Sequence, residues 1–178
     1  MTTPEIRAIG YCVNYDDAGE RAFEFALGLA QRNGLQLNIF HFVDDPYQPG
    51  PLKKPSPQEL VDIEKKMRLH YDARLGDYLD VGFRLCESNE WTELHRCLCK
   101  KEFQLLVLAM PQKDATFGRR SLVRFADDFV CPVVLVGPCA EETLIYNEPA
   151  RLIAYRLGIN TETLRRTHDP QLALNLPG

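Results

Sequence analysis

The sequence predicts an α/β domain, a parallel sheet of five strands covered by helices, and three observations carry that prediction. Short apolar runs of β type alternate with longer stretches of helical period, the pattern of successive strand–helix–strand units. The helical stretches open on capping residues. The 178 residues, 45% of them hydrophobic, suit one such domain with an extra segment and are too few for two full-sized ones. A chain of this size buries roughly 70% of its unfolded surface, which is enough for a core without disulfides and excludes general disorder.

The first strand runs from Ile6 to Val13. Asn14, Tyr15 and Asp16 lead into a helix for which Asp17 is the expected cap, with Glu20 completing a capping box. Ala22, Phe23, Ala26, Leu29 and Ala30 mark its buried stripe, and Asn33-Gly34 stops it, because glycine accepts the left-handed conformation that ends helices. Leu35 to Val43 is the second strand. Five prolines between Asp44 and Pro57 then make a long irregular connection. Ser56-Pro57-Gln58-Glu59 signals the next helix, which keeps its period through Leu60, Ile63, Met67, Tyr71 and Leu75. Val81 to Cys86 is the third strand, and Asn89 caps a third helix with Trp91, Leu94 and Leu98 inward. Gln104 to Ala109 is the fourth strand, and the polar stretch from Met110 to Arg120 is a loop. Ser121 opens a helix whose stripe is Leu122, Phe125, Ala126 and Phe129; Pro132 breaks it, and Val133 to Val136 is the fifth strand. The domain is therefore expected to span residues 1–138, with 139–178 as an extension of two short helices.

A formal charge of −4, from 21 Lys and Arg against 25 Asp and Glu, excludes a general attraction to nucleic acid or anionic lipid. Six cysteines (Cys12, Cys86, Cys97, Cys99, Cys131, Cys139) lack the density and spacing of a secreted disulfide scaffold and read as reduced thiols. The start MTTPEIRAIG has no cationic region followed by an apolar one, and apolar runs such as Leu105 to Met110 are too short for a membrane span. A cytoplasmic protein without a membrane partner is the expectation.

Joined to particular residues, this layout resembles the universal stress protein family. The first helix carries Glu20-Arg21-Ala22 where that family has a Glu-Arg-Ala-like triplet. His41-Phe42-Val43-Asp44 matches its His-Val-Val-Asp-like tetrad, and Cys131-Pro132 its cysteine-proline before the last strand. The resemblance covers roughly residues 5–137 and rests on the order and spacing of these stretches together. It implies a flavodoxin-like three-layer sandwich with strand order 3-2-1-4-5. It also implies a homodimer through the last strand, here Val133, Val134, Leu135 and Val136, since an unpaired apolar edge is otherwise an aggregation liability.

In open α/β sheets ligands sit beyond the carboxyl ends of the strands where the connection order reverses, between the first and fourth strands. Nucleotide-binding members of the family hold the ribose there with an Asp, and the matching position, after Val13, is Asn14, which keeps an acceptor but loses the charge. The family's phosphate cradle reads Gly, two residues, Gly, nine residues, Gly, then Ser or Thr. Its first two glycines align with Ala109 and Gln112, Pro111 between them has no N–H to offer, and the connection is about three residues short. Gly118-Arg119-Arg120-Ser121 remains at a helix start, where two arginines can substitute for backbone donors or simply form a solvated pair. Phe42 matches a position that holds adenine through backbone atoms, and also reads as a core aromatic. The implied site is a degenerate one, formed by Val13, Asn14, Phe42, Ala109, Gln112, Gly118, Arg119, Arg120 and Ser121, with no cofactor expected; ATP or another nucleotide is the alternative.

The four histidines fall on different elements and build no nucleophile–base–orienting set, so no catalytic residue is assigned. Cys97 and Cys99 lie two apart on a helix and point away from one another, which suits neither a metal nor a disulfide. The string Ile153 to Arg166 looks like the two-helix core of a helix-turn-helix, with Gly158 at the turn, but four basic and five acidic residues over 141–178 make a poor footprint for DNA. These readings together describe a non-catalytic stress-response or regulatory module; a nucleotide switch and a DNA-binding regulator using the tail are the competing classes.

Overall fold

In the computed structural model, which describes residues 5–51, 54–138, 144–160 and 164–167, β1 (Ala8–Cys12) is buried along its whole length at the centre of the sheet. Parallel neighbours flank it on both sides, β2 (Gln36–Phe42) and β4 (Leu105–Ala109), which is why it reads as a continuous apolar run rather than an alternating one. With β3 (Val81–Cys86) outside β2 and β7 (Val133–Val136) outside β4, the five core strands stand in the expected order, all parallel.

The strands divide their side chains by the two-residue period. Ile9, Tyr11, Val107, Ala109, Val134 and Val136 face α1 (Asp17–Asn33) and α2 (Pro57–Leu75). Cys12, Leu106, Leu108, Val133 and Leu135 face α3 (Glu90–Cys99) and α4 (Leu122–Asp128). The stripe Ala22, Phe23, Ala26, Leu29 and Ala30 is buried as its spacing requires, and Gly34 ends α1 at φ +63°. Of the α2 stripe, Met67, Tyr71 and Leu75 are buried while Leu60 and Ile63 are half-buried. On α3, Glu93, Leu94 and Cys97 are buried, with Trp91 and Leu98 partly so.

Several local expectations are corrected. The cap of α1 is Asp16, not Asp17, with Oδ1 accepting from the Gly19 N–H at 2.8 Å. The turn is this tight because Gly19 packs on the Asn14 carbonyl, so closely that a Cβ there would lie 1.6 Å from it. The stretch after β4 is not all loop: β5 (Thr116–Phe117) and β6 (Arg120–Ser121) form a small antiparallel hairpin, turned by Gly118 at φ +68°.

The largest correction concerns the extension. Among its described residues the first of the two expected helices is present, closed at Gly158 as expected, and the second, with the helix-turn-helix, is not. β8 (Leu144–Tyr146) pairs antiparallel with β7, α5 (Glu148–Ala154) follows, and a 3₁₀ turn over Tyr155–Leu157 ends at Gly158. β9 (Leu164–Arg166) then pairs parallel with β8 where the second helix was expected. Residues 164–166 hydrogen-bond into a sheet, and that pairing outweighs a local helical pattern too short to stand alone. β8 and β9 thus extend the sheet to seven strands. The same pairing corrects the dimer expectation, because the outer edge of Val133–Val136 is occupied by the chain's own β8.

Candidate functional site

The crevice between the carboxyl ends of β1 and β4 is where topology places a ligand, and the chain fills much of it with itself. The proline-rich strap after β2 folds back over the crevice and is anchored by two hydrogen bonds. Tyr47 donates its hydroxyl to the Ala109 carbonyl at 2.8 Å, and the Pro46 carbonyl accepts the Gly118 N–H at 2.7 Å. The Tyr47 ring meets Phe117 edge-on at 5.1 Å and packs against the cores on both sides of the sheet. Burial pushes its phenol pKa well above the ordinary value, with the carboxylates of Asp16 and Asp45 adding to that direction.

Two cavities lie beside this plug. One, of about 310 Å³, is lined by Asn14 and Gln112 together with Asp16, Asp45, Tyr47 and Asp114. The other, of about 270 Å³, includes Val13, Asn14, Tyr15, His41, Phe42 and Asp45. Neither has a lysine or arginine in its lining, and the first gathers three aspartates. A polyphosphate entering there meets like charge in place of a cradle of donors.

Each sequence-derived position is accounted for. Asn14 turns its side-chain amide to Asp16 at 3.4 Å, and Val13 donates its N–H to the Phe40 carbonyl at 2.9 Å. Phe42 is buried in the core on the α3–α4 side. Ala109 is buried with its carbonyl taken by Tyr47, and Gln112 is exposed, its carbonyl accepting from Ala115 at 3.1 Å. Gly118 spends its N–H on Pro46, and Ser121 spends its hydroxyl on the Arg124 N–H as the cap of α4. Arg119 is exposed, while the Arg120 guanidinium lies over the Trp91 ring at 3.8 Å. The structure therefore brings Val13, Asn14, Phe42 and Gln112 to the crevice and places Gly118, Arg119, Arg120 and Ser121 outside the lining of both cavities. The residue that sequence reasoning missed is Tyr47. Its signal was available as the one aromatic side chain within the proline-rich stretch.

Elsewhere several polar side chains pair within the fold, while Tyr15 Oη, Glu102 Oε2 and Arg120 Nη1 are buried without a hydrogen-bond partner. Tyr11 and Tyr71 share a hydrogen bond at 2.9 Å, and Tyr11 donates onward to the Gly19 carbonyl at 3.0 Å. His70 and Arg74 both hold Glu20, at 2.5 and 2.9 Å. His95 pairs with the Trp91 carbonyl at 2.8 Å. His168 and Cys139 lie outside the described residues. Cys86 and Cys97 are buried thiols whose pKa values desolvation pushes up to about 12, which makes them inert rather than nucleophilic. Cys99 is exposed, so the Cys97-x-Cys99 pair is split between core and solvent. No group of metal-ligating side chains occurs among the described residues, and no helix there is long and apolar enough to cross a membrane.

No family model and no curated protein matches this sequence. Solved structures do match at the level of the fold. The universal stress protein UspA from Lactobacillus plantarum is 20% identical, with 73% of this chain and 97% of that one covered at a TM-score of 0.50. A universal stress protein from Archaeoglobus fulgidus is 12% identical over 73% of this chain and 98% of that one, with a TM-score of 0.52. A universal stress protein family protein from Arabidopsis thaliana with AMP bound is 14% identical, covering 77% and 95%, at a TM-score of 0.49. Its AMP is a property of that protein and, at this similarity, says nothing of the present crevice. The chain has the universal stress protein fold, and it carries more chain than those proteins match.

Proposed function

We propose that this chain is a non-catalytic, cytoplasmic regulatory module of the universal stress protein type, acting in stress response, whose nucleotide crevice is closed by its own strap. The observation that carries this reading is the Pro46-Tyr47 plug. It takes the Ala109 carbonyl at the end of β4 and ties the Gly118 N–H of the following hairpin to Pro46, so the strap is held across the switch point. The acidic lining supports the same reading, since Asp16, Asp45 and Asp114 disfavour a triphosphate. Arg120, one of the two arginines read as a replacement phosphate contact, lies with its guanidinium over the Trp91 ring.

Calorimetric titration of the nucleotide-stripped protein with ATP and magnesium tests the reading. No saturable heat at millimolar nucleotide is expected, either for the wild type or for the Arg119→Ala/Arg120→Ala double variant. Saturable submillimolar binding by the wild type that disappears in Asn14→Ala or Ser121→Ala would overturn it and make the protein a nucleotide switch.

A further inference from the structure

The outer edge of β7 is paired with a strand of the chain's own tail. All four residues of β7 are buried, and β8 runs antiparallel along it with Val134 opposite Tyr146 and Leu135 opposite Ile145. Antiparallel pairing is the relation that a twofold axis imposes on two copies of one strand. β8 therefore holds the place and direction that a second copy's β7 would need.

The cover is secured by Asn147, which is 1% exposed. Its Oδ1 accepts from the N–H groups of Val133 at 2.9 Å and Ala150 at 3.1 Å. Its Nδ2 donates to the carbonyls of Ala126 and Cys131, both at 2.9 Å. Four hydrogen bonds are the full capacity of a side-chain amide. Around this point Ile145 enters the core on one face of the sheet, while Tyr146, Ala150, Ile153, Ala154 and Leu157 enter it on the other. Asn33 of α1 donates to the Leu157 carbonyl at 3.0 Å, and Thr167 reaches Asp127 at 3.1 Å. The seal thus extends beyond one strand to both helical layers.

We propose that β8, α5 and β9 act as an intramolecular substitute for a second subunit: they occupy the β7 edge, keep the protein monomeric there, and must leave before that edge joins another copy of this chain. The inference is independent of whether the crevice binds nucleotide.

Sedimentation equilibrium on the full chain tests it. The wild type is expected to run at the monomer mass throughout the micromolar range. Asn147→Ala is expected to show a concentration-dependent rise toward twice that mass, together with faster hydrogen exchange at the Val133 amide. In the same background, Val134→Cys/Tyr146→Cys, oxidised to tie β8 to β7, is expected to return the mass to that of a monomer. A dimeric wild type would overturn the proposal, as would an Asn147→Ala protein that loses Val133 protection yet stays monomeric. If Asn147→Ala does not fold, the Cys pair in the otherwise wild-type chain decides in mild denaturant. Self-association in the reduced form alone supports the proposal, and equal behaviour of the reduced and oxidised forms refutes it.

Discussion

Two segments of this chain cover surfaces of its own core, and they are built to different strengths. The tail covers the β7 edge with a strand, a helix and a side-chain amide whose hydrogen bonds are all made in the interior. The strap covers the β1–β4 crevice with one ring, one phenol hydrogen bond and one backbone contact, and exposed residues follow directly at Gln48 to Pro51. Removing a buried partner from the first leaves several polar groups without water, whereas opening the second returns its groups to solvent. The tail is therefore a structural component of the fold, and the strap is a cover that can be loosened by small changes.

The largest effect that would break this contrast is expected at Asn147. Asn147→Ala orphans the Val133 and Ala150 N–H groups and the Ala126 and Cys131 carbonyls, and should cost about 3 kcal/mol or more in a urea unfolding titration. Gly118→Ala strikes the strap next. Its φ of +68° costs a non-glycine residue about 1–2 kcal/mol, and the new Cβ would lie 1.8 Å from the Glu90 carboxylate, whose flexible side chain must swing aside. Tyr47→Phe sharpens the comparison by removing only the bond to Ala109. A loss of about 1 kcal/mol is expected, with the crevice still closed by the ring. A cost equal to that of Asn147→Ala would show the two covers to be equivalent.

The smallest effect concerns pH. His41 lines the cavity beside the strap, and burial lowers its pKa below 6.5 while the Phe42 carbonyl and Asp45 act in the opposite direction. The unfolded chain then takes up the proton more readily than the folded one, so this contribution is complete above pH 6.5 and is lost as pH falls below it. His41→Gln should flatten that part of the stability–pH curve, read as the change in urea midpoint between pH 7 and pH 5.

The five core strands and four of the helices were legible because their signals are local and repeat. The apolar run of β1, the Ala22–Ala30 stripe, the cap Ser56 and the stop Gly34 each act within a few residues of themselves. Legibility failed where contacts come from far along the chain. Arg120 looked free for an anion because Trp91, nearly thirty residues earlier, gives no sign of being its partner. The crevice was located from topology, but its occupation by Tyr47 was invisible, since a tyrosine among prolines reads as surface until the strap folds back.

By itself, then, the sequence determined the α/β class and the order of the elements, because periodicity and capping are properties of neighbouring residues. Only the tertiary structure decided what covers what. Residues 164–166 became a strand and not a recognition helix, and the β7 edge went to the chain's own tail and not to a second copy. Both outcomes follow from sheet hydrogen bonding, in which the partner of a strand is set by whichever segment can reach an open edge and bury its apolar side chains there.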